Sequence, residues 1–78
     1  MAYSELLQLQ KMAEQIALNL GGGHEEAAAD LTAAHIQRFW TPAMRSKLIE
    51  FWRGGGDVST VVAGALQRIE QRANVEKN

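Results

Sequence analysis

Seventy-eight residues, 46% of them hydrophobic, with a net charge of −1 and no cysteine, make one small domain at most, residues 1–78. This composition excludes a disordered chain, a disulfide framework, and zinc or iron–sulfur clusters held by thiolates. A chain so short buries only about 60% of the surface its unfolded form exposes. With disulfides and thiolate metals gone, a partner subunit is the expected outside support.

Two glycine triplets, Gly21-Gly22-Gly23 and Gly54-Gly55-Gly56, and the dipeptide Thr41-Pro42 cut the chain into four segments. Glycine ends helices at little steric cost, and proline disfavours helix at the residue before it. The spacing predicts helices over about 4–20, 25–40, 42–53 and 59–72, with a frayed tail at 74–78.

The first segment opens with MAYSELLQLQK, which has an acid where a signal peptide carries basic residues. No apolar run in the chain reaches the ~20 residues of a membrane helix, so a soluble cytoplasmic protein is expected. Ser4 is its expected N-cap, and Leu6, Leu9, Met12, Ala13, Ile16 and Leu20 form its apolar stripe. Leu7 and Leu18 fall on the opposite side, either as scattered surface leucines or as a second contact face.

The second segment begins with Glu25 and Glu26, which suit the positive end of a helix dipole. Its apolar arc is read as Ala28, Leu31, Thr32, His35, Ile36 and Phe39, with Trp40 at the edge. In the third, Thr41 is an N-cap and Pro42 a first helical residue, followed by a stripe of Met44, Leu48, Phe51 and Trp52 with Ile49 to one side. The fourth starts near Ser59 and turns Val62, Ala65, Leu66, Ile69 and Ala73 inward. No segment shows the period-2 alternation of a half-buried strand. The expected fold is all-α: a compact four-helix domain with a sharp Thr-Pro corner between the second and third helices.

Catalytic chemistry is not legible. Ser4, Ser46 and Ser59 sit at or near helix starts, where capping suffices, and Glu25 and Glu26 point different ways. His35 reads as a core residue with one satisfied hydrogen bond. His24 and His35 are too far apart in role to make a metal site. GGGHEEA and GGGDVST precede helices but fit neither GxxxxGK[ST] nor GxGxxG, so both read as connectors. Nucleic acid is a weak reading for a slightly acidic chain whose last helix alternates Arg68, Glu70 and Arg72.

What remains is the corner HIQRFWTPAMR, residues 35–45. Arg38, Arg45, Lys47 and Arg53 face Glu50 alone over residues 38–53, so this is the basic part of the molecule. His35, Phe39, Thr41, Pro42 and Met44 are expected to build the corner. Trp40, Arg38, Arg45 and Ile49 are expected to present it to a partner, together with Leu7 and Leu18, because Trp and Arg dominate binding hot spots.

The same residues carry a resemblance. Lys11-Met12-Ala13 with Gln15-Ile16-Ala17, then His35, Arg38-Phe39-Trp40, Pro42, Met44-Arg45, the triplet Gly54–Gly56, Ser59 and Ala65-Leu66 stand in order along nearly the whole chain. The pattern is similar to that of the delta subunit of soluble NAD-dependent formate dehydrogenases, and H-x-x-R-F-W-x-P-x-M-R is its specific part. Departures are Thr41 for an aspartate, Ala43 for an arginine, Leu18 and Leu20 where aromatics are frequent, and Thr60 where proline often stands. The resemblance implies a non-catalytic accessory subunit with no cofactor of its own. It would bind the alpha subunit, which carries a molybdenum or tungsten pterin and iron–sulfur clusters. Beta and gamma subunits in the same complex would handle FMN, NAD and further clusters. It implies neither nucleic-acid nor membrane binding. A transient maturation chaperone for the alpha subunit and a generic helical protein-interaction module are the other readings, with self-association of the chain a further possibility.

Overall fold

A computed structural model of the chain describes residues 2–20 and 24–77, with side chains over 5–20 and 24–73. Four helices follow in order: α1 Ala2–Asn19, α2 Glu25–Phe39, α3 Pro42–Arg53 and α4 Thr60–Lys77. No strand occurs among the described residues. The radius of gyration is 11.8 Å, close to the ~11.5 Å of a packed chain this long. The first glycine triplet and the Ser4 side chain lie outside the described residues.

Helix ends follow the local chemistry. At the start of α3 the Thr41 Oγ1 accepts the Met44 N–H at 3.2 Å, and Pro42 takes a position where no backbone donor is needed. The end of α3 is a Schellman motif: the Gly56 N–H donates to the Phe51 carbonyl at 2.8 Å and the Gly55 N–H to that of Trp52 at 3.0 Å. Gly55 has φ +96°, a conformation that favours glycine, and a Cβ on Gly56 would lie 2.5 Å from the Phe51 ring, which would have to shift. Ser59 caps α4 by accepting the Val62 N–H at 3.2 Å. Its own N–H donates to Glu14 Oε2 at 2.8 Å, and Gln10 Nε2 donates to the Asp57 carbonyl at 2.6 Å. These two bonds clasp the α3–α4 connection against α1.

The main packing pair is α2 with α4, and α1 lies across the other three helices. Helices α2 and α3 scarcely touch beyond their junction, which is what a corner does and a hairpin does not. The buried face of α2 is Ala28, Ala29, Thr32, Ala33 and Ile36. Opposite it are Val62, Ala65, Leu66 and Ile69 of α4. Gly64 explains the closeness, since a Cβ there would stand 3.1 Å from the Ala29 Cβ. Leu9, Ala13 and Ala17 of α1, with Leu48 of α3, complete the core.

Arginines brace the same pair. Arg68 Nη2 reaches Glu26 at 3.0 Å, while Arg72 contacts Asp30 and the Gln37 side chain, each at 2.7 Å. Elsewhere Arg53 bridges to Glu70 at 2.6 Å, and Lys47 pairs with Glu5.

Three apolar assignments from the sequence are corrected. Leu31, expected inward, is 50% exposed, and Met12 and Ala73 are also exposed. On α2 the cause is plain: the alanines face α4, so the buried face is turned away from the larger side chains. Helix α4 extends to Lys77, beyond the residue 72 expected for its end.

Two substitutions test this packing. Gly64→Leu forces α2 and α4 apart and is expected to cost about 1–3 kcal/mol, read from urea unfolding by circular dichroism. Thr32 is fully buried and its Oγ1 has no hydrogen-bond partner among the described residues. Thr32→Val should therefore stabilise by about 1 kcal/mol, raising Tm by about 4–8 °C. A fall in Tm would show that the hydroxyl is satisfied.

Candidate functional site

The corner begins where α2 stops. Trp40 is the C-cap: its N–H still donates to the Ile36 carbonyl at 2.9 Å, but its backbone is extended at φ −91°, ψ 145°. Thr41 is extended too, at φ −71°, ψ 158°. Leaving the helical path turns the indole inward, so Trp40 is only 5% exposed and belongs to the same buried cluster as Ala33, Ile36 and Leu48. Phe39, the last helical residue, is left outside at 65% exposure. This reverses the expectation that Phe39 builds the corner and Trp40 presents it.

His35 and Phe39 stand one turn apart on α2, with ring centroids 4.7 Å apart and planes tilted by 43°. His35 is half-buried and makes no side-chain hydrogen bond among the described residues, so it is not the satisfied core histidine expected. Its ring supports Phe39 from one side. The guanidinium of Arg38 lies 5.6 Å from the Phe39 centroid, within reach of the ring's negative π face. Arg38 is exposed and pairs with no acid among the described residues.

Arg45 has a different task. Its Nη1 donates to the Gln37 carbonyl at 3.1 Å, one of the last carbonyls of α2, which lacks an ordinary helical partner. A cation there also suits the negative end of the helix dipole. Arg45 is half-buried by this role, and so presents less of itself than the sequence suggested. Ile49, also half-buried, lines a broad trough between α3 and α4 that holds the Arg53–Glu70 pair.

Between α1 and the corner runs an open groove of about 380 Å³, lined by Met12, Ile16, His35, Phe39, Trp40 and Met44. Gln15 and Asn19 of α1 form its polar edge, the Gln15 amide donating to Asn19 Oδ1 at 3.3 Å. The fold thus gathers His35, Phe39, Trp40 and Met44 around one slot, with Arg38 beside Phe39. Leu7 and Leu18 are exposed, Leu18 at 77%, and neither lines the slot. The α1 contribution was missed in the sequence. Met12 and Ile16 stood out only as stripe residues, and nothing local says that α1 docks beside residue 39.

The Phe39–Trp40 reversal has a direct test. Trp40→Ala removes a buried indole and is expected to cost about 3–5 kcal/mol, whereas Phe39→Ser should change stability by about 0.5 kcal/mol or less. Urea titrations of the two variants read the difference; equal losses would overturn the placement.

Two comparisons with known proteins are empty, since no curated relative and no solved structure matches the chain. Among the described residues no helix is long and apolar enough to cross a membrane, and no cluster of His, Asp and Glu could hold a metal ion. The family comparison does find a match, over residues 8–66, which spans the α1 edge of the slot, the whole corner and the first turns of α4. On that match the chain belongs to the NADH-dependent formate dehydrogenase delta subunit family, FdsD.

Proposed function

We propose that this chain is a non-catalytic accessory subunit of a formate dehydrogenase complex, binding the large molybdenum- or tungsten-containing subunit in the cytoplasm and supporting its assembly or stability. The family match over residues 8–66 carries the reading. The redox chemistry then belongs to the other subunits, with their pterin, iron–sulfur, FMN and NAD groups.

Three features of the chain support it. Side chains with chemical potential have structural work: Ser59 caps α4, Glu14 holds the Ser59 N–H, and Thr41 caps α3. Four of the basic residues, Lys47, Arg53, Arg68 and Arg72, are engaged with acids of the same chain, which leaves little for a phosphate backbone. Finally, Phe39, Leu18, Leu31, Leu7 and Met12 leave large apolar side chains at the surface, available to a partner. Of the surface expected for a partner, Arg38, Leu7 and Leu18 are exposed and suited to contact, whereas Trp40 acts through the fold.

The test is affinity purification of the tagged chain from its native cytoplasm, followed by size exclusion with activity and metal assays. The expected result is co-elution with formate:NAD⁺ activity and a stoichiometric metal-containing subunit. Recovery with a cofactor-free large subunit alone would replace a permanent subunit by a maturation chaperone. Recovery of the chain by itself would overturn the reading.

A further inference from the structure

The slot beside Phe39 has a definite chemistry. Its walls are Met12, Ile16, Phe39 and Met44, its floor is the buried Trp40, and its α1 edge carries only the neutral Gln15 and Asn19. Lining residues 12, 15, 16 and 19 follow one face of α1, so the slot is about 10 Å long at 1.5 Å per residue. Such a length takes one or two large side chains of a partner and is short for an extended ligand. No carboxylate lines it. The nearest charge established by geometry is the Arg38 guanidinium, beside Phe39 and without an acidic partner among the described residues.

We propose that this slot, with Arg38, is where the chain docks onto its formate dehydrogenase partner, and that it receives a segment offering a large apolar side chain to Phe39 and a carboxylate to Arg38. The proposal rests on the accessory-subunit reading. Charge decides between occupants. A second copy meeting face to face would bring the same surface, placing Arg38 against a slot with no acid and like charge near like charge. A nucleic-acid strand would stack on Phe39 but find, among the described residues, only Arg38 shown beside it at a neutral groove, too little for phosphate tracking. An apolar segment with one carboxylate satisfies both Phe39 and Arg38. The aromatic ring with a cation over it, largely desolvated on docking, is also the residue combination that dominates binding hot spots.

The experiment co-expresses the tagged chain with the remaining formate dehydrogenase subunits in competition with untagged wild-type chain, and measures the tagged share in the purified complex. Phe39→Ser and Arg38→Glu are each expected to lower that share about tenfold or more, while Gln67→Ala, exposed on α4 and outside the slot, leaves it unchanged. Both targeted side chains are exposed, and circular dichroism of the free variants confirms that the fold is intact. Raising salt should strip wild-type chain from the complex more readily than Arg38→Gln, a response that loss of structure would not give. If both variants compete as well as wild type, the slot is not the docking site, although the chain is still a subunit. If tagged wild-type chain does not enter the complex at all, the accessory-subunit reading fails and the slot proposal with it. A free chain that is dimeric, and becomes monomeric on Phe39→Ser, would give the slot to a second copy and overturn the proposal.

Discussion

Everything in this fold leans on the close approach of α2 and α4. Alanines on α2 meet Gly64 and Ala65 on α4, and a Cβ at position 64 would already crowd Ala29. Small residues bury little apolar area each, so the gain comes from many close contacts between backbones and from the flanking Ile36, Val62, Leu66 and Ile69. Such an interface leaves no room for adjustment. It also has a geometric result: with small side chains at the contact, the large ones on α2 must lie at its margins or outside.

The margin is where the functional surface arises. Leu31 and Phe39 are the large apolar residues displaced from the α2 face, and Phe39 has α1 beside it to complete a slot. Charges are sorted by the same packing. Arg68 and Arg72 reach across to Glu26, Asp30 and Gln37 because the helices are close enough for them to do so. Gln37 is a junction, holding Arg72 by its side chain and Arg45 by its carbonyl, and so tying α4 and α3 to the last turn of α2. Arg38, next in sequence, points away from this network and keeps its charge at the surface.

Much of this was legible. The bounds of α3, its Thr41 cap, its glycine stop and the starts of α2 and α4 all follow from residue chemistry within a turn or so, and local chemistry is what a sequence displays. The corner was recognisable as a place, and the family resemblance drew on the same residues. What failed was the rotation of α2. Reading the stripe from its largest apolar members, Leu31, His35 and Phe39, centres it about 90° away from the true face, at about 100° per residue. Only the presence of Gly64 on another helix tells which side alanine will win, and one glycine inside a helix does not announce its partner. The Trp40 error has a second source: helical periodicity no longer applies at a C-cap, where the extended backbone swings the side chain off the wheel.

The order in which the elements pair carries a consequence for biosynthesis. A chain emerges from the ribosome amino end first, yet the face of α2 is covered by the last helix, and the clasp on α1 is made by residues 57 and 59. Until residues 60–73 have been translated, the alanine face of α2 has nothing to close over it. The core draws on all four helices, so folding waits for α4 and then proceeds as one event. The interval in which another polypeptide could engage the alanine face of α2 therefore opens before the fold exists.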